Sequence, residues 1–302
     1  MNERAALRLS AGAALAVGVL GLSVALLSGS GAILLDGLFN LCFFATALLT
    51  LRVATLVERP DDERYPFGYI FFEPLINTVK GLLILGISAL ALFDALVALA
   101  TGGRPVALGP AVAYAATATI VCALVVLALR RAQRSPLTAA DIENWTVNAV
   151  ISAGVLAGFL LAAALLRADR PGAAAYVDPA MVALVILFSL AVPVRMAVRG
   201  VLALLNRAPR PEVVADMQAA VRRALGELPV ERLWVRAVQP GRTTYCSVHA
   251  LVPPGTRLDL DRADALRGQV ISALAARYAP VVVDVVFTGT ESYAAPTAGY
   301  RA

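Results

Sequence analysis

A six-helix membrane bundle followed by a small α+β domain is the fold class predicted by this sequence, on three observations. The 302 residues are 59% hydrophobic and only 16% charged, with a mean hydropathy of +0.76. A soluble domain carries about 25% charged residues, so the deficit must sit in segments that never meet water. Six apolar stretches reach the roughly 20 residues that a helix needs to cross the hydrocarbon core. Charged residues return at ordinary density only from about residue 207. The expected organisation is therefore a membrane domain over 1–206, a water-facing domain over 207–290 and a disordered tail over 291–302.

The six spans fall near 10–29, 33–56, 75–100, 107–129, 142–166 and 179–203. Arg4 and Arg8 ahead of an apolar run, with small residues at Ser28–Gly31, also fit a signal peptide. Five further spans favour an uncleaved first helix. With alternating helices, Arg4, Arg8, Arg52, Arg59, Arg64, Arg130, Arg131, Arg134, Arg207 and Arg210 gather on one side, and Arg104, Arg167 and Arg170 on the other. The positive-inside rule then places both termini in the cytoplasm and the protein in the cell membrane as a multi-pass chain. This bias also accounts for the net charge of +5, so no nucleic-acid partner is expected.

The tail changes period. Val213, Val214, Met217, Val221 and Leu225 mark an amphipathic helix over Pro211–Leu228. Leu233–Val238 and Tyr245–Val252 read as strands around Gln239-Pro240-Gly241-Arg242, where Pro and Gly occupy turn positions. Asp259 or Asp261 can cap a second helix running to about Tyr278, and Val281–Thr288 is a β-rich run. The order is helix, strand, strand, helix, strand.

An ionisable group inside a spanning helix costs about 2.5–3.5 kcal/mol on the insertion scale and is a functional candidate by default. Asp36, Lys80, Asp94 and the pair Asp141 and Glu143 qualify, with a capping or ion-pairing role expected for Asp94 and for Asp178. Asp36 and Asn40 share a face of the second helix, and Asn144, Asn148 and Ser152 repeat the four-residue spacing on the fifth. Two such oxygen pairs at comparable depth can form a four-ligand cation site. Interhelical hydrogen bonding, worth about 0.6 kcal/mol per side chain, is the structural alternative. Lys80, the single lysine, either snorkels to the headgroups or pairs with Asp36. Cys42, Cys122 and Cys246 form no CxxC and His249 is the single histidine, so no Cys/His zinc cluster can be assembled. No nucleophile–His pair or phosphate loop supports an enzyme.

Several segments resemble the cation diffusion facilitator (cation efflux) family, over nearly the whole chain. Leu34-Leu35-Asp36-Gly37-Leu38-Phe39-Asn40 looks like the family's second-helix metal segment. Arg59-Pro60-Asp61-Asp62-Glu63-Arg64-Tyr65-Pro66-Phe67-Gly68-Tyr69, followed by Glu73, is similar to its cytoplasmic loop signature. Ala140-Asp141-Ile142-Glu143-Asn144 through Asn148 and Ser152 fits the fifth-helix pattern, and Val177-Asp178-Pro179 opens the sixth helix as the family does.

The resemblance implies a homodimer with a ferredoxin-like cytoplasmic domain. It also implies export of a cation by alternating access, in exchange for protons, with no cofactor. Carried over by position, the cation-binding residues are Asp36, Asn40, Asn144 and Asn148, with Lys80, Asp141, Glu143 and Ser152 as accessory or proton-coupling candidates. One carboxylate and three amides form a hard, weakly charged set, suited to Mg²⁺, Mn²⁺ or a monovalent ion more than to Zn²⁺. Tyr65 and Tyr69 stand where the family loop carries histidines, which removes an accessory metal site. In the tail His249 is a weak metal candidate, and Leu233 and Phe287 lie near positions where further histidines would be expected. The losses leave an alternative, a transport-inactive member acting as a regulatory or heteromeric partner.

Overall fold

A computed structural model describes residues 3–57, 59, 61–66, 68–131, 136–241 and 243–294. They fall into two compact units, one of Met1–Arg52 with Ile76–Ala197, the other of Val53–Leu75 with Val198–Ala302.

The apolar stretches are helical: α1 Glu3–Ser28, α2 Gly31–Val57, α3 Phe72–Ala100, α4 Leu108–Arg130 and α5 Pro136–Arg167. A short α6, Pro171–Ala175, leads into α7, Val177–Ser189, and α8, Ala191–Leu204. Among the described residues six segments are long and apolar enough to cross a membrane, and the sixth is Pro171–Ser189. The single run expected over 179–203 needs correction here, because it divides into α7 and α8 on either side of Leu190, where one rung of the hydrogen-bond ladder is missing. Pro193 has no N–H to offer the Ser189 carbonyl. Leu190 keeps helical angles, φ −59° and ψ −32°, so the chain resumes as α8 directly.

One buried carboxylate organises an end of the first unit. Asp178, 2% exposed on α7, accepts hydrogen bonds from the Gly31 amide at 2.9 Å, the Ala32 amide at 3.2 Å and the Ser30 hydroxyl at 2.5 Å. Ser30 in turn accepts from the Ile33 amide at 3.2 Å. The first amides of a helix have no partner within it, and together they attract negative charge; Ser30 and Asp178 satisfy three of them in α2. Arg104 lies 3.5 Å from Asp178 and is also paired with the exposed Asp94. The capping or ion-pairing role expected of both aspartates is what the structure shows.

The second unit carries α9, Pro211–Leu225, strands β1 Arg232–Val238, β2 Thr244–Leu251 and β3 Val281–Thr288, and α10, Leu260–Tyr278, between the last two strands. The sheet order is β1-β2-β3, with β1 and β2 antiparallel and β2 and β3 parallel. Alternation selects the buried face: Cys246, Val248 and Ala250 of β2 join Leu233, Ala237 and Val285 beneath Met217, Val221, Val270 and Leu274 of the two helices. Asp259 caps α10 by accepting from the Arg262 amide at 2.8 Å. The helix expected through Leu228 stops at Leu225, because Gly226 turns away with φ +56°.

Residues 291–294 depart from the disorder expected from 291 onward. Glu291–Tyr293 form a 3₁₀ turn, Glu291 pairs with Arg232, the Ala294 carbonyl accepts from Arg236 at 2.7 Å, and Ala294 is fully buried. Two arginines projecting from β1 give this stretch partners that its own composition does not reveal. Residues 295–302 lie outside the described residues.

Asp178→Ala is expected to destabilise the protein by about 2–3 kcal/mol, since it leaves buried helix-end amides unpaired. Asp94, whose side chain is 60% exposed, should change stability by no more than about 1 kcal/mol when replaced by Ala. Denaturant unfolding of the two purified variants checks this.

Candidate functional site

The second helix brings Asp36 against α1 through a glycine contact. A Cβ on Gly37 would lie 2.8 Å from the Leu22 nitrogen and 3.2 Å from the Gly18 carbonyl oxygen. A Cβ on Gly21 would lie 2.9 Å from the Gly37 Cα. The two backbones therefore touch, as small residues allow between membrane helices.

Asp36 is half-buried beside this contact. Its Oδ2 accepts from the Tyr114 hydroxyl of α4 at 2.5 Å, and its Oδ1 from the Asn40 amide at 3.3 Å. Asn40, 3% exposed, also donates to the Asp36 backbone carbonyl at 2.9 Å. With its NH₂ directed to that carbonyl, Asn40 keeps its amide oxygen for another partner. Both side-chain partners of Asp36 are neutral.

The fifth-helix candidates grade from exposed to buried. Glu143 and Asn144 are exposed, Asp141 and Asn148 are intermediate, and Ser152 is 5% exposed. Ser152 and Asp36 both lie within the electrostatic reach of the Cys122 thiol of α4. Ser152 and Asp36 thus approach the same stretch of α4. Among the described residues, Asn144 and Asn148 form no hydrogen bond with Asp36 or Asn40.

The pairing of Lys80 with Asp36 is not found. Lys80 Nζ sits 5.0 Å from the centre of the Phe43 ring, a cation–π distance, and feels Cys42 and Asp141 electrostatically. Phe43 lies seven residues beyond Asp36 on α2, about 10 Å along the axis. The ammonium is therefore held at the Phe43 ring rather than at Asp36.

Tyr114 is the residue that sequence reasoning missed. Its signal was present: one phenol in the run Ala113-Tyr114-Ala115-Ala116, whose hydroxyl needs a partner when buried. Tyr114 is 3% exposed.

Outside the spans, Tyr69 donates to Asp62 at 2.5 Å, and the Tyr65 and Arg64 amides donate to the other Asp62 oxygen at 2.8 and 2.9 Å. The Tyr69 hydroxyl, followed by the backbone amides, holds the Asp62 carboxyl below its ordinary range. The Tyr65, Tyr69 and Phe72 rings pack on one another, with centroids 4.7 to 5.7 Å apart. Within the same compact unit Glu73 lies against Gly241, whose φ is +66°, and any Cβ there would strike the Glu73 carboxylate. In the tail, Leu233 is buried and Phe287 packs on the core, while His249 projects from the opposite face of the sheet. Its Nε2 lies 3.0 Å from the Ser247 hydroxyl. Among the described residues no group of three His, Cys, Asp or Glu side chains is arranged to hold a metal ion.

Burial, and then the Arg236 charge, hold the His249 imidazole below its usual pKa. The unfolded chain therefore takes up the proton first, and stability falls as pH drops through about 6.5. Trp234 stands directly opposite His249 across β1 and β2. In a Trp145→Phe background its fluorescence should titrate with a midpoint below about 6.5, and His249→Gln should abolish that step.

No curated protein matches the chain. A family profile, the cation efflux transmembrane domain, matches residues 7–205, which takes in all six candidate spans and both faces that bear Asp36 and Asn148. On that match over most of its length, the chain belongs to the cation efflux family.

Proposed function

We propose that the protein exports a cation from the cytoplasm by alternating access, in exchange for protons, at Asp36, Asn40, Asn144 and Asn148. The observation that carries this reading is Asp36: a carboxylate within a spanning helix whose side-chain partners, Tyr114 and Asn40, are both neutral. Such a group in low dielectric attracts a positive partner. Membership in the cation efflux family and the six candidate spans support a cation as that partner. The oxygen-rich donor set favours Mn²⁺ or Mg²⁺, or a monovalent ion, over Zn²⁺.

Of the four residues Asp36 alone titrates, so coupling through them is limited to about one proton per cycle. Asp141 and Glu143 are the groups able to add to it, and Lys80 lies within the electrostatic reach of Asp141. Ser152, buried on α5 beside the Cys122 thiol of α4, is an accessory residue at the α4 and α5 contact. The positive-inside bias supports cytoplasmic termini in the cell membrane. The tail domain serves dimerisation of two identical chains, with the lipid bilayer as the other partner.

A second reading, a transport-inactive regulatory or heteromeric partner, is favoured by the exposure of Asn144. Flux into proteoliposomes over a panel of Zn²⁺, Mn²⁺, Mg²⁺ and Na⁺ separates the two. Wild-type protein is expected to give saturable Mn²⁺ or Mg²⁺ flux with counter-movement of protons seen by a lumenal pH dye. Asp36→Asn should abolish both signals, and Lys80→Gln should leave cation affinity unchanged. Absence of any saturable, Asp36-dependent flux favours the second reading.

A further inference from the structure

We propose that the Tyr114 hydroxyl is a switching oxygen ligand for the transported cation. Without a cation it donates its hydrogen to Asp36; with one, it turns that hydrogen to the Val17 carbonyl and presents its oxygen to the ion. The inference rests on the placement of the cation at Asp36 proposed above, and deepens it with a residue from a third helix.

Three observations carry the proposal. The hydroxyl is 2.5 Å from Asp36 Oδ2, so it occupies an oxygen that a cation would use. The hydrogen takes one of the two lone pairs of Oδ2, and a cation that binds on that side, between the carboxylate and the phenol oxygen, displaces it. A second acceptor stands ready, because the Val17 carbonyl of α1 lies 3.5 Å from the same hydroxyl. A helix carbonyl has two lone pairs and spends one within its helix, so Val17 can take this bond.

The close fit also prevents the phenol from simply leaving. Tyr114 is 3% exposed, and a Cβ on Gly21 would lie 2.6 Å from its hydroxyl, so α1 walls the phenol in beside Asp36. The least costly response to an arriving cation is rotation of the O–H bond with a shift of about 0.5 Å toward Val17, which brings the 3.5 Å contact into the ordinary hydrogen-bond range. The phenol oxygen is neutral and hard, like the amide oxygen of Asn40, and adds coordination without adding charge. That contribution favours oxygen-coordinated ions such as Mn²⁺ and Mg²⁺.

The test is Mn²⁺, Mg²⁺ and Zn²⁺ titration calorimetry on the purified full-length protein, with Tyr114→Phe and Asp36→Asn, alongside cation-induced infrared difference spectra. Tyr114→Phe is expected to weaken Mn²⁺ binding on the order of tenfold to a hundredfold, the usual loss for a residue supporting a metal site, and to narrow the preference for Mn²⁺ over Zn²⁺. A tyrosine C–O band should shift when Mn²⁺ is added to the wild type and be missing from Tyr114→Phe. If Tyr114→Phe binds Mn²⁺ as well as or better than wild type while Asp36→Asn loses binding, the switching ligand is overturned and the Asp36 site stands. Unchanged binding in Asp36→Asn overturns the site itself. Should Tyr114→Phe fail to fold, the wild type decides alone: no cation-induced change in any tyrosine C–O band overturns the inference.

Discussion

A carboxylate on a bilayer-spanning helix has to be satisfied from inside the protein, and the surroundings of Asp36 are arranged by that requirement. Lipid supplies no hydrogen bonds, and transfer of an unpaired charge out of water costs far more than a neutral polar group does. Asn40 reaches it from one turn along the same helix, while Tyr114 reaches it across a helix interface. The phenol ends beside the point where α1 and α2 approach until Gly21 and Gly37 touch. A larger residue at either glycine separates the helices or displaces the phenol, so packing and polar satisfaction are here a single constraint.

Much of the architecture was readable because it follows from short-range rules. A span needs about 20 apolar residues whatever surrounds it, and the alternation in Tyr245–Val252 identifies a strand with one buried face. Asp259 before a periodic run announces a helix start. The departures arise where local and distant effects compete. Pro193 lies inside an apolar stretch long enough to read as one helix, and it interrupts that helix at Leu190. Residues 291–294 look like a tail by composition, but Arg232 and Arg236 hold them.

The candidate site was legible in pairs and obscure in three dimensions. Four-residue spacing placed Asp36 with Asn40, and the structure keeps them together. Spacing says nothing about which neighbouring helix supplies the next group, so nothing in the four-residue pattern points to Tyr114. The same limitation produced the pairing of Lys80 with Asp36. Opposite charges within one membrane domain invite pairing on paper. About 10 Å of helix rise separates the Asp36 level from the Phe43 ring that Lys80 covers.

The cap on α2 has a mechanical side. Asp178 ties the first amides of α2 to α7, so that end behaves as a pivot and the remainder of the helix as a lever. Asp36 is five residues from Gly31, about 7.5 Å along the axis, whereas Val57 is about 39 Å away. A tilt that sweeps the far end through about 5 Å then moves Asp36 by about 1 Å. One ångström is enough to stretch the 2.5 Å hydrogen bond to Tyr114 beyond its ordinary length, and too little to part the two side chains. Large motion at one end of the helix is thereby geared down to a fine adjustment at the charge.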